Sequence, residues 1–169
     1  LIKQINTADD YRLFSETVDQ AVRESCFKAL ARLLQNTQNR PFIPASILLL
    51  GGDDLVVVLP AEEALQFAYE VGKTYETITE QRLKPLLQKI GGAPKLTLSF
   101  GVAVARVNHP FAFLLDAAQQ LLASAKVRGS EINPETPPSC IDFHLANSTS
   151  AINIARIRSQ YAPHDSDPS

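Results

Sequence analysis

The feature that most constrains the fold is a pair of short apolar runs, Ile47 to Leu50 and Leu55 to Leu59, separated only by Gly51-Gly52-Asp53-Asp54. Continuous apolar runs of this length, bounded by glycine and proline, read as strands covered on both faces. So short a connection leaves room only for a tight turn, so the runs pair as a hairpin whose tip lies at the end of the sheet.

Helical patterns flank this hairpin. From Tyr11 onward Phe14, Val18, Ala21, Val22, Leu30, Leu33 and Leu34 recur at three- and four-residue steps with charged residues between them, which predicts one long amphipathic helix. Asp9 and Asp10 fall at its cap and first turn. Asn36 to Pro44 carries two prolines and polar residues and predicts a loop. After Pro60, Glu62 and Glu63 open a second helix striped by Leu65, Ala68, Val71, Tyr75 and Ile78, with Pro85 expected to kink or stop it before Gly91-Gly92. Leu96 to Ala105 predicts a strand in which Gly101 marks a bulge or a close backbone approach. Pro110 fits the first turn of a third helix, striped by Phe113 or Leu114, Ala117, Leu121, Leu122 and Ala125. Cys140 to Ala146 alternates Ile141, Phe143 and Leu145 with Cys140, Asp142 and His144, which predicts a half-buried strand. A short helix near Ser150 to Arg158 follows, then a polar tail expected to be disordered.

Sixteen Lys and Arg against eighteen Asp and Glu give a net charge of −2, so no global basic field holds a duplex by charge alone. With 45% hydrophobic residues in 169, the chain is long and apolar enough for one domain with a sizeable core, expected over residues 1–161 with the tail at 162–169. The apolar runs are far shorter than the roughly 18 residues a spanning helix needs, so no membrane is expected. Cys26 and Cys140 form no CxxC pair and have no histidine cluster beside them, which argues against a zinc site or disulfide framework and fits a reducing, cytoplasmic setting. The chain has no methionine and opens on Leu1-Ile2-Lys3, so the natural N-terminus is expected to be absent.

Gly51-Gly52-Asp53-Asp54 carries the chemistry. A solubilising turn needs one polar residue and one glycine, usually Asn-Gly or Asp-Gly; here the glycines come first and two carboxylates follow. Adjacent like charges favour a neutralising cation, and carboxylates with phosphate oxygens suit a hard ion such as Mg²⁺. The bare glycine backbone lets a triphosphate approach the amides. Adjacent strand residues point to opposite faces, so Asp53 and Asp54 need not hold the same ion. The competing reading is an ordinary charged turn.

The run from Ile47 to Glu70, ILLLGGDDLVVVLPAEEALQFAYE, resembles the palm domain of the large polymerase-like subunit of type III CRISPR effector complexes. A second block, Leu96 to Lys126, resembles the same family through LTLSFGVAVAR, the following His109-Pro110, and a helix ending in Ser124-Ala125-Lys126. Both are more distantly similar to the GGDEF diguanylate cyclases. The resemblance implies an α+β, ferredoxin-like palm: a βαββαβ core plus an appended αβ unit, with an antiparallel-rich sheet and helices on one face. It also implies a first strand with a further metal-binding acid, which is read as missing here; Lys3-Gln4-Ile5-Asn6 resembles the loop leaving it.

By the same resemblance, Asp53 and Asp54 are catalytic acids and metal ligands for Mg²⁺ or Mn²⁺ in a two-metal site, and Gly51, Gly52, Ser99 and Lys126 are nucleotide-binding residues. The implied substrate is ATP and the product class cyclic oligoadenylate. Implied partners are a nucleoside triphosphate, CRISPR effector subunits, guide RNA and a second copy in a homodimer. Two alternatives are a non-catalytic palm that senses nucleotide or binds RNA and protein, and a diguanylate cyclase preferring GTP. Asp142 and His144, sharing a strand face, form a weaker acid-base candidate, set against the polar alternation of a solvated face.

Overall fold

The computed structural model describes residues 5, 7–35, 44–91, 95–146 and 153–161. In chain order the elements are α1 (Ala8–Gln35), β1 (Ser46–Gly51), β2 (Asp54–Val58), α2 (Ala61–Lys89), β3 (Ser99–Val104), α3 (Phe111–Ile132), β4 (Cys140–Leu145) and α4 (Ile154–Tyr161). The loop expected over 36–44 lies outside the described residues except at Pro44, and so do the tail at 162–169 and most of Leu1 to Asn6.

The α+β class stands. β1 and β2 pair antiparallel around the turn, in a register shifted by a bulge between Ile47 and Leu49. β3 and β4 pair parallel, Gly101 opposite Asp142 and Val102 opposite Phe143. Among the described residues these are two separate two-stranded sheets.

The helices set the layers. Thr7, not Asp9, caps α1: the Asp10 amide donates to its hydroxyl at 3.1 Å, while Asp9 and Asp10 occupy the first turn. α1 and α2 pack antiparallel, as ion pairs along their length show: Asp10 with Lys89 at 2.6 Å, Glu24 with Arg82 at 2.7 Å, and Arg32 with Glu70. Their core joins Cys26, Leu30, Phe67 and Val71 to Leu50, Leu55, Val57, Leu98 and Phe100 of the strands. Phe100 therefore faces α2, where its ring touches Gly72. Gly101 faces the other way, directly against Ala118 and Leu122 of α3. Helices thus lie on both faces of β3, not one, because a glycine backbone lets α3 close on the side that α2 leaves free. This resolves the role of Gly101: a close approach.

Three local expectations change. α2 does not stop at Pro85 but continues to Lys89. An interior proline costs about 3 kcal/mol, but Leu83, Leu86 and Leu87 are all buried against Phe14, Ile90 and Leu96, and each such burial contributes roughly 1.5–3 kcal/mol. Pro85 and Gln81, whose carbonyl loses its partner, are exposed to water. The hairpin is not covered on both faces: Leu48 is 53% and Leu49 48% exposed, because α1 and α2 cover only one face. In β4 the apolar and polar sides are exchanged: Cys140, Asp142 and His144 are the more covered, while Phe143 is 50% and Leu145 56% exposed. The α3 and α4 layer covers the polar side, and α2 barely reaches β4.

Candidate functional site

β1 ends at Gly51, β2 begins at Asp54, and Gly52 and Asp53 form the turn. Gly52 has φ +60, a left-handed conformation that glycine adopts without steric cost. A Cβ on Gly51 or on Gly52 would meet nothing within 4 Å, so the backbone at the tip is open. Asp53 and Asp54 are both exposed, and among the described residues neither carboxylate has a hydrogen bond or ion pair. At this exposure their mutual repulsion is of the order of 1 kcal/mol. The turn therefore needs no cation to exist, and two charged oxygen donors remain free.

Sequence reasoning missed a third carboxylate at the tip. Asp19, in the middle of α1, accepts the Gly52 amide at 2.8 Å through Oδ1 and pairs with Arg23 at 2.8 Å through Oδ2. The Arg23 contact first, then the Gly52 amide, hold its carboxyl below the usual range. In sequence Asp19 is one of many charges on a helix face, and no spacing rule joins it to a turn 33 residues away. Tyr75 of α2 lies beneath the tip; burial first, then the nearby charge of Asp53, push its phenol up to about 12.

The other expected site residues lie elsewhere. Ser99 opens β3, half-buried and opposite Cys140, on the strand face that looks to α3. Lys126 is exposed on α3, one turn beyond Leu122. Among the described residues no hydrogen bond or ion pair joins either to Gly51, Gly52, Asp53 or Asp54, since both belong to the β3 and α3 half, across a groove from the hairpin. Asp142 and His144 do not form an acid-base pair. Arg158 takes Asp142 at 2.5 Å and also reaches Ser124 at 2.5 Å. Burial raises the Asp142 carboxyl, and the hydrogen bonds of Arg158 and Ser124 outweigh it, so the net direction is down.

Among the described residues no group of three or more His, Cys, Asp or Glu side chains could cage a metal. Two free carboxylates beside bare backbone do fit a hard divalent ion that completes its shell with water and phosphate oxygens, the usual mode for Mg²⁺. They do not fit an all-protein cage. Among the described residues no helix is long and apolar enough to cross a membrane.

No curated protein matches the chain at a significant level. The family described as Cas10/Cmr2, second palm domain, matches residues 2–131, which includes the hairpin, α2, β3 and nearly all of α3. Palms of this superfamily are nucleotidyl cyclase-like and generally use divalent metals. A hairpin carrying free acids at a glycine turn, and a match across most of the chain, lead to one conclusion: the chain belongs to the second palm domain family of Cas10/Cmr2, the large subunit of type III CRISPR effector complexes.

Proposed function

We propose that this domain is a nucleotidyltransferase that takes ATP and forms cyclic oligoadenylate in antiviral defence. The observation that carries this reading is the tip itself: Asp53 and Asp54 exposed and, among the described residues, without a hydrogen bond or ion pair, beside two glycines with open space around them. Asp53 and Asp54 would hold Mg²⁺ or Mn²⁺ jointly with the triphosphate, and the ion supplies charge neutralisation at the phosphates and at the attacking ribose oxygen. Gly51 and Gly52, which carry no Cβ, leave space for phosphate oxygens beside the turn. Asp19 fixes the turn by holding the Gly52 amide. Ser99 and Lys126 act on the nucleotide from the β3 and α3 side. Asp-Asp in place of the cyclase-type Glu-Phe favours the cyclic oligoadenylate group over the diguanylate cyclases. CRISPR effector subunits, guide RNA and a facing second copy are the partners this reading brings.

The test is the Asp53→Ala, Asp54→Ala double variant in the intact protein. Removal of supporting residues around metal ligands typically costs 10–100-fold, so loss of the ligands themselves should cost more than about a hundredfold in cyclic oligoadenylate formed. Undiminished turnover of ATP would refute the assignment. Asp19, the third carboxylate at the tip, is engaged by Arg23 and the Gly52 amide, which favours a second reading, a non-catalytic palm used as a sensing or binding scaffold. That reading expects no metal-dependent nucleotide binding by calorimetry on the intact protein.

A further inference from the structure

Tyr75, on the face of α2 that packs toward the hairpin, is only 2% exposed. Its ring sits among Ala21 and Val22 of α1 and Leu50 and Leu55 of the hairpin. Leu50 and Leu55 are partners in the strand register, and the next pair is Gly51 with Asp54. The ring therefore lies under the last apolar rung before the turn.

A phenylalanine would fill this space without burying a polar atom, so the packing accounts for the ring and leaves the hydroxyl unexplained. A buried tyrosine hydroxyl usually finds a hydrogen-bond partner. Among the described residues this one has none. The oxygen is not walled in, unlike Nε2 of His109, which is sealed without a partner. It also looks toward the tip: among the described residues, Asp53 is the one charge that acts on the phenol.

A phenol keeps its proton at neutral pH and offers a donor. A donor that opens beneath two free carboxylates calls for an acceptor arriving from outside. An ion held at Asp53 brings phosphate oxygens into its shell, and the sugar and base of a nucleotide hang farther from that ion than its phosphates do. Phosphate oxygens are charged acceptors, to which hydrogen bonds are about twice as strong as between neutral groups.

We propose that the Tyr75 hydroxyl is a further substrate contact of the tip, donating a hydrogen bond to a phosphate oxygen of the metal-bound triphosphate. This rests on the reading of Asp53 and Asp54 as metal ligands and adds to it a donor from α2, beneath the turn.

The experiment measures binding of ATP and of inorganic tripolyphosphate, each with Mn²⁺, to the intact protein and to its Tyr75→Phe variant, together with both melting temperatures. Phenylalanine keeps the ring and removes only the oxygen. The expected result is binding of both ligands weakened roughly tenfold to a hundredfold, as for loss of a hydrogen bond to a charged acceptor, with the melting temperature held or raised. Unchanged binding would overturn the proposal and leave the reading of the tip intact. A loss seen with ATP alone would overturn it too, since the donor then meets the sugar or the base. So would a lower melting temperature, which means that the hydroxyl is already bonded inside the protein. A parent protein that binds neither ligand would sink the reading of the tip, and this contact with it.

Discussion

Replacing Gly101 with alanine tests the layer arrangement most sharply. A Cβ there would lie 2.0 Å from the carbonyl oxygen of Ala118 and 2.5 Å from the amide nitrogen of Leu122. Both atoms are backbone of α3, so no side-chain rotation relieves the overlap. Reaching ordinary contact near 3.4 Å requires α3 to withdraw by about 1.4 Å, against the close packing of the interior. That movement loosens Ala117 and Leu121 from Ala103 and Ile154. Overpacking usually costs 1–3 kcal/mol, and a rigid obstacle places this case at the top, about 3 kcal/mol. For a domain of this size the melting temperature should fall by roughly 6–12 °C. Gly72→Ala is the control on the opposite face. Its Cβ meets the side-chain edge of the Phe100 ring at 3.2 Å, with Ser139 Oγ at an ordinary 4.0 Å, and alanine favours the helix by up to about 1 kcal/mol. Its melting temperature should stay within a few degrees of the parent. Thermal unfolding followed by circular dichroism decides: a Gly101→Ala variant as stable as the parent, or a Gly72→Ala variant as damaged as Gly101→Ala, would refute the reasoning.

At the tip, Gly52→Val should cost about 1–2 kcal/mol because φ +60 is strained for any residue with a Cβ, while Gly51→Ala should leave urea unfolding unchanged and weaken only triphosphate binding. Glu76 pairs with Lys95 and Ser139 at 2.6 Å each. Burial raises its carboxyl, but those contacts bring it below the ordinary 4.5. Its contribution is therefore present above pH 4.5 and lost as pH falls through the lowered value; Glu76→Gln should flatten that part of the acid limb of the stability curve. Tyr75 should ionise at about 12 by ultraviolet titration, and Asp53→Asn should bring it down. Because the folded value lies above the free one near 10, stability should decline as pH rises between them.

Much of this architecture is legible in the sequence because its periodicities are local. The α1 stripe, the hairpin and the acidic start of α2 each follow from residues within a few positions of one another. The failures share one cause, which is that coverage is decided by elements far away in the chain. Whether Ile141 or Asp142 turns inward depends on whether α2 or α3 reaches β4, and alternation alone fixes only that they differ. Pro85 reads as a break until the three buried leucines around it are weighed against its cost. At the site, the contiguous Gly51 to Asp54 set is visible as a motif, whereas Asp19 becomes visible only once α1 packs beside the turn. Ser99 and Lys126 illustrate the reverse: the resemblance names them, and the geometry keeps them on the far side of a groove.

The hydrogen bond from the Gly52 amide to Asp19 has a mechanical meaning. α1 is clamped to α2 by ion pairs along its length and hangs the turn from its middle, so it works as a beam with the acidic tip suspended at mid-span. A load that slides or tilts this beam moves Gly52 with it, and the spacing between the two free carboxylates and anything resting on them changes accordingly. Whatever docks on the exposed side of α1 therefore has a mechanical lever on the tip without touching it.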